Sequence, residues 1–340
     1  MTSAALDRLL AVLVVALAAT GLVSLRMGAP GDEWLFALHA VLGGALALVV
    51  SWKVRQSLPR AVRARRWRRV VLGLVVSLAT AAALAGGFAW VASGRLLSLG
   101  SWTILTIHAW IGLALVPLVV VHLLPGRWRL LVPRLSRRRH SESATMRAWP
   151  AMSRRQAIAV AALGTASLAL VGAAQLADRL AGGTRRFTGS RWLPSGVPPP
   201  TTFFGESGPD VDPAAWRLRV HGNVGREVLL SLRQLEALGE IEQTVVLDCT
   251  SGWAMAAQWR GVPLRTVLDA AGMTSPGSVL VWSATGWAAS LGGADIDRAM
   301  LATGVAGGPL PAGNGAPCRL VVQDRRGLDW VKWVVEVEVV

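Results

Sequence analysis

Cysteine is nearly absent. Only Cys249 and Cys318 occur in 340 residues, which excludes a disulfide-stapled scaffold and leaves room for one bridge at most. Acid is scarce in the first half of the chain. Residues 1–177 carry 20 Lys and Arg against 4 Asp and Glu, whereas residues 178–340 carry 15 against 16. The formal net charge of +15 therefore belongs to the more apolar half. A basic excess placed there fits the positive-inside pattern of membrane proteins better than a phosphate-binding surface, so nucleic acid is not an expected partner. Histidine is rare too, with five in all, so the position of each one carries information.

What the chain does have is hydrophobic length. A helix needs roughly 20 apolar residues, with a range of about 17–25, to cross a bilayer core. Segments 9–25, 34–52, 70–92, 103–124 and 157–177 meet that requirement. The connections orient them. Residues 52–69 hold eight basic groups and no acid, and residues 125–156 hold nine arginines and one acid. Both are expected in the cytoplasm, with the sparsely charged loops 26–33 and 93–102 outside. The N-terminus is then cytoplasmic, and residues 178–340 lie outside the cytoplasm of a multi-pass, lipid-embedded protein. The fifth segment opens with Arg154 and Arg155 before an Ala/Gly-rich run. This is the pattern of a twin-arginine export signal, and equally of two more positive-inside arginines.

Three histidines fall inside the spans, where ionisable groups are costly and point to function. His39 lies five residues past Trp34 and His108 five past Thr103, each on a helix entering from outside. The two imidazoles are expected at one depth near the outer face, placed to clamp the iron of a haem b. His122 follows His108 by 14 residues, nearly four turns or about 21 Å along the helix. It is where a second haem would bind, but its counterpart on helix two is Lys53. Histidines hydrogen-bonded between helices are the simpler alternative.

The remainder of the chain changes character. Residues 182–215 are rich in Gly, Pro, Ser and Thr and read as a linker that wraps onto a domain. Short strand patterns follow in "WRLRVHGNV", "REVLLSL", "QTVVLDC", "SVLVWSA", "CRLVVQD" and "KWVVEVEVV", with helical stretches in "SLRQLEAL" and "PLRTVLDAA". The expected fold is a membrane α-helical bundle of five transmembrane helices followed by an α+β, mostly β, domain. The expected boundaries are a four-helix membrane domain at 1–130, a basic loop at 131–156, the fifth helix at 157–177, a linker at 178–197 and the domain at 198–340. Cys249 ends an apolar strand. With His221 as the domain's lone histidine and no orienting acid evident in the sequence, a cysteine hydrolase is a weak reading of that thiol.

The ordered blocks "WRLRVHGNV", "SLRQLEAL", "VLDCTSGW", "WRGVPLRTVLDAAG", "NGAPCRLVV" and "RRGLDWVKWV" resemble the sulfite-oxidase-type molybdopterin family. Within it they resemble the catalytic subunits of periplasmic methionine-sulfoxide reductases, from about residue 198 onward. The membrane half resembles, more loosely, the b-type haem subunits that partner such reductases. The resemblance implies that Cys249 is the thiolate ligand to molybdenum and the catalytic cysteine. It also implies that Asn314 and Arg319 bind the molybdopterin, Arg319 through its phosphate, with Lys332, Trp330 and Val331 beside them. Trp253 falls near the metal. Thr285 stands one position out of register with a cofactor-binding threonine. Where the family has an Asn and a Tyr-Glu pair, this chain offers Thr201, Phe204 and Gly205. A metal-bound Cys249 is unavailable to Cys318, so no disulfide is expected.

The reaction class implied is oxygen-atom transfer on a small-molecule substrate, in the direction of sulfoxide or N-oxide reduction or of sulfite oxidation. Electrons would pass through the membrane haem to or from the quinone pool or another carrier. A binding module that has lost its cofactor, and a haem-only transmembrane electron conduit carrying a non-catalytic domain, are the alternatives.

Overall fold

The protein is described from a computed structural model, which covers residues 3–65, 67–131, 153–201, 208–273 and 277–340. The expected basic loop lies largely outside the described residues. The chain forms two compact units, residues 1–22 with 34–183 and residues 23–33 with 184–340. The second is therefore assembled from two separate stretches of sequence.

The first unit is helical: α1 (Ser3–Ser24), α2 (Glu33–Arg63), α3 (Trp67–Ala92), α4 (Ile104–Leu131) and α5 (Arg154–Leu180). A two-residue ribbon, β1 (Ser98–Leu99) with β2 (Trp102–Thr103), turns the chain between α3 and α4. All five helices contain stretches long and apolar enough to cross a membrane. Contrary to the expected loop at 52–69, α2 continues through Pro59 to Arg63 before a turn at Ala64 and Arg65. Unbranched Lys, Arg and Gln side chains favour helix, and that preference prevails over the single proline. Ser153 caps α5, accepting from the Gln156 N–H at 3.3 Å while Gln156 Oε1 accepts from Ser153 N–H at 3.0 Å. This capping box fixes the start of α5 at the arginine pair. Gly44 lets α2 approach Ser167 of α5, since a Cβ there would lie 3.2 Å from Ser167. Near the chain start, Lys53 pairs with Asp7 at 2.6 Å.

The second unit carries two sheets. In chain order its elements are β3 (Arg191–Trp192), β4 (Arg217–Gly222), β5 (Val228–Ser231), α6 (Leu232–Glu236), β6 (Ile241–Asp248) and β7 (Trp253–Pro263). They continue with α7 (Leu264–Ala270), β8 (Val279–Ser283), β9 (Ala288–Leu291), α8 (Ala294–Asp297), β10 (Ala299–Val305), β11 (Gly308–Pro309), β12 (Arg319–Val322) and β13 (Val334–Val339). One sheet runs β11-β10-β7-β3, with β12 paired to β10 and β6 to β7. The other runs β5-β4-β13-β8-β9, with β13 and β4 parallel. Leu218, Trp259, Leu264, Leu301, Leu320 and Val337 are among the residues of the single core that the sheets share. Every residue of β10 is buried, as expected of a strand covered on both faces.

The domain begins earlier than the expected boundary at 198. Residues 184–197 belong to the second unit, where β3 pairs in parallel with the start of β7. The cause is local: Arg186, Thr188 and Ser190 are drawn in by the buried carboxylate of Asp248.

Candidate molybdopterin site

The strand β6 turns apolar and largely buried from Val245 up to Asp248, and the chain then reverses within four residues into β7. Gly252 N–H donates to Cys249 O at 2.9 Å, and Cys249 N–H donates to Trp253 O at 2.8 Å. The turn needs its glycine, because Gly252 has φ +97°, which a residue with a Cβ rarely adopts. The half-buried thiol of Cys249 accepts from Ser251 N–H at 3.5 Å. Burial pushes this thiol above its ordinary value, partly offset by Ser251 and by the charge of Arg326. The free chain thus holds Cys249 protonated, and a metal ion binding there would have to displace the proton.

Cys249 lines a cavity of about 390 Å³. Of the residues expected at a cofactor site, Thr201, Trp253, Thr285, Arg319, Trp330, Val331 and Lys332 also line it. Asn314 does not. It lies behind the wall, where its carbonyl accepts from Arg319 Nη1 at 3.0 Å and its amide donates to Pro198 O at 2.9 Å. Asn314 positions Arg319 rather than facing the cavity. Phe204 and Gly205 lie outside the described residues. Lys332 Nζ donates to Thr201 O and Gly313 O, both at 2.8 Å, tying two loops to the cavity rim. Thr250, Ser251, Ser283, Trp287 and Trp333 are among the further lining residues that were not anticipated.

Arg319 is the electrostatic centre of the wall. It is 4% exposed, stands 5.5 and 5.7 Å from the rings of Trp259 and Trp330, and makes no ion pair with a carboxylate among the described residues. Its Nε is buried with no hydrogen-bond partner among those residues. Burial lowers its pKa to about 10, so it remains a cation at neutral pH. A buried, singly hydrogen-bonded guanidinium facing a cavity calls for an anion with several acceptor oxygens. A polarisable sulfur ligand and a phosphate-seeking cation on one cavity fit a molybdopterin.

Behind the turn, Asp248 accepts from Arg186 Nη1 at 2.8 Å, Thr188 Oγ1 at 2.7 Å and Ser190 Oγ at 2.6 Å, with Arg326 Nε 3.3 Å away. Burial alone would raise this carboxyl. Arg326 and the three hydrogen-bond donors outweigh that and hold it below the ordinary value. Arg326 also donates to Cys249 O at 3.1 Å. Cys318 is fully buried in the core, and both thiols are free. His221 does have an acid, Glu336, whose Oε1 is 2.7 Å from its Nε2. The strands β4 and β13 place the two side by side, which the sequence did not reveal. The pair does not line the Cys249 cavity, so it gives no nucleophile-activating partner to the thiol.

In the helical unit, the rings of His39 and His108 have centroids 6.2 Å apart at an interplanar angle of 84°. His108 Nδ1 lies 2.7 Å from Ala83 O, which can only accept, so that nitrogen carries the proton. His39 Nδ1 lies 2.8 Å from Thr20 Oγ1. The Thr20 hydroxyl is engaged by Ala16 O at 2.8 Å, so Thr20 accepts and His39 Nδ1 donates. Both neutral rings are left with an unprotonated Nε2, the form that ligates a metal. Gly86 and Gly87 of α3 flank His108, where a Cβ at Gly87 would lie 3.2 Å from its ring. His122 sits apart from them, beside Gly73. Its expected counterpart, Lys53, is committed to Asp7.

Residues 206–340 match the family model of the oxidoreductase molybdopterin binding domain. The protein-methionine-sulfoxide reductase catalytic subunit MsrP of Xanthomonas axonopodis pv. citri is 33% identical over 144 residues, 37% of this chain and 45% of the relative. MsrP of Gluconobacter oxydans is 32% identical over 142 residues, 35% of this chain and 45% of the relative. The chain thus spans less than half the length of these relatives. Among solved structures, the sulfane dehydrogenase SoxCD of Paracoccus pantotrophus matches 39% of this chain and 40% of its own, at 23% identity and a TM-score of 0.37. The C-terminal part of the chain is therefore similar to the oxidoreductase molybdopterin binding domain and to the MsrP catalytic subunits, over less than half the length of this chain and of those relatives.

Proposed function

We propose that this chain is a membrane-anchored molybdenum oxidoreductase. It transfers an oxygen atom to or from a small substrate outside the cytoplasm, with electrons passing through a b-type haem held by His39 and His108. The observation that carries the enzymatic reading is the cavity that brings Cys249 together with the unneutralised cation of Arg319. Cys249 would hold the metal through its thiolate. Arg319, fixed by Asn314, would hold the phosphate of the pterin. Trp253, Thr285, Trp330, Val331 and Lys332 would enclose the cofactor, and the rim threonine Thr201 would close it from above. When bound, the molybdopterin supplies two-electron oxygen-atom exchange at molybdenum.

The chemistry of the wall favours a neutral substrate. The cationic side chains lining the cavity, among the described residues, are Arg319 and Lys332. Arg319 is assigned to the phosphate, and Lys332 is engaged with two carbonyls. That leaves no arginine cluster to hold a sulfite dianion, whereas Trp253, Trp287 and Trp333 offer aromatic surface to a sulfoxide or N-oxide. Reduction of a sulfoxide consumes two electrons and two protons and yields a sulfide and water. Sulfite oxidation, the reverse flow of electrons, is the less favoured direction.

The five apolar helices support a membrane anchor. The positive-inside pattern supports a cytoplasmic N-terminus and an extracytoplasmic catalytic domain. The rings of His39 and His108 lie with centroids 6.2 Å apart, and each is left with an unprotonated Nε2 that could hold an iron. This supports one haem b, with the quinone pool or another carrier as the electron partner. His122, with Lys53 unavailable opposite it, gives no support to a second haem. A twin-arginine route for the domain rests on Arg154 and Arg155 alone. The haem-only conduit remains as the second reading, and the retained Cys249, Asn314 and Arg319 stand against it.

The test is the molybdenum content of the detergent-purified chain from a host that makes molybdopterin, beside a Cys249→Ser variant. Near-stoichiometric metal in the parent and loss of redox activity in the variant are expected. A folded parent without metal would overturn the enzyme reading and leave the haem conduit.

A further inference from the structure

The two arginines behind the Cys249 turn each have a second arm, and both arms reach the same stretch of chain. Arg186, which donates to Asp248 through Nη1, donates through Nη2 to Gly28 O at 3.1 Å. Arg326, which donates to Cys249 O through Nη2, donates through Nη1 to Ser24 O at 3.1 Å. Between those two carbonyls, Arg26 pairs with Asp329 at 3.5 Å and Met27 forms an antiparallel bridge with Arg325. The fit is close. A Cβ on Gly28 would lie 3.0 Å from Asp324 O and 3.2 Å from the backbone of Arg325 and Arg326. Residues 24–28, the last residue of α1, a turn and the bridge at Met27, therefore lie along residues 324–326 of the same compact unit.

We propose that Ser24–Gly28 is a positioning element for Cys249. The segment offers backbone carbonyls to both arginines, and together with Asp248 these acceptors fix where each guanidinium points. Arg326 is 3% exposed, so without Ser24 O it must turn or admit water. Either change moves the group that holds Cys249 O. Arg186 would do the same to Asp248, the residue just before Cys249. The aim of the Cys249 sulfur into the cavity thus depends on a stretch more than 200 positions away in sequence. The geometry of the free chain carries this inference. Its consequence for the metal alone rests on the function proposed above.

The experiment uses the full chain in detergent, produced without molybdopterin, and reads the alkylation rate of Cys249 by iodoacetamide. Gly28→Val drives the segment off residues 324–326. Gly31→Val is the control, because a Cβ there meets no atom within 4 Å. Cys318, fully buried in the core, reports whether the domain stays folded. The expected result is a rate at Cys249 raised at least tenfold in Gly28→Val, unchanged in Gly31→Val, with Cys318 unreactive throughout. A parental rate in Gly28→Val with Cys318 unreactive overturns the proposal. If Cys318 becomes reactive in Gly28→Val, the milder Gly28→Ala is read in the same way and the same two outcomes decide. Because no cofactor is involved, failure here is distinct from failure of the molybdenum reading.

Discussion

Replacing Arg319 with methionine should leave the free protein nearly unchanged and strongly weaken the cofactor-loaded one. In the free chain, burial has depressed the guanidinium from its ordinary value to about 10. That corresponds to a cost of about 3 kcal/mol for the charged form, at about 1.4 kcal/mol per tenfold change in proton affinity. Methionine removes this cost and fills similar volume. It also forfeits the hydrogen bond to Asn314 O, worth about 1 kcal/mol. The approach to Trp259 and Trp330 is worth about 1–2 kcal/mol more. The net change is within about 1 kcal/mol, so the free variant should melt within roughly 4 °C of the parent. In the loaded chain the variant would lose the charge-assisted hydrogen bonds that Arg319 would make to a phosphate. At about 1.5–3 kcal/mol each, this weakens cofactor binding by roughly 10²- to 10⁴-fold. Thermal unfolding of the full chain in detergent, with and without cofactor, and metal analysis of the loaded preparations read both effects. A free variant that melts more than about 10 °C below the parent, yet retains full molybdenum, would refute the reasoning and make Arg319 a structural residue.

Other outcomes follow from the same geometry. His39→Ala and His108→Ala should each abolish a b-type haem spectrum, and His122→Ala should leave it intact; a normal spectrum in either of the first two refutes the clamp. Thr20→Val removes the acceptor that sets the His39 tautomer, so haem affinity should fall by about 10- to 100-fold, read by haem titration. Asp295 is held below the ordinary carboxylate value of 3.8, Arg325 and Arg298 outweighing the effect of burial. Its contribution is present above that value and is lost as pH falls through the lowered one. Asp295→Asn should therefore reduce the melting temperature at pH 7, with the difference from the parent vanishing in strongly acidic buffer. Gly261→Ala should prevent folding of the domain, because a Cβ there collides with the Leu301 and Ala302 backbone of β10. Normal circular dichroism in that variant would contradict the packing of β7 on β10.

The long helices and six of the strands were legible because their patterns are strong. β6, β8 and β13 fall where apolar alternation places them. The strand β7 was not legible, since "WAMAAQWRGVP" is rich in alanine and shows no clean alternation. Its strand character comes from β3, β6 and β10, which pair with it. β10 was missed for a similar reason, being buried along its whole length. The front of the site was legible through Cys249, Arg319, Trp253 and Trp330, because each sits in a distinctive local motif. The back was not. Arg186, Ser190 and Arg326 act across 58 to 77 residues of sequence on Asp248 and Cys249, and nothing local marks them. Asn314 was found by motif, but only the fold shows that it works through Arg319.

The interleaving of residues 23–33 with 184–340 in one compact unit also constrains the order of assembly. In the proposed membrane arrangement, the segment at 23–33 reaches the far side as soon as α1 and α2 insert. The domain it completes is synthesised about 150 residues later, on the near side. If the domain crosses already folded and loaded, as a twin-arginine route requires, it crosses without residues 24–28 in their groove. Its two arginines find their last acceptors only on arrival. Maturation of the Cys249 turn would then finish after export, so the enzyme would be held incomplete in the compartment where it is made.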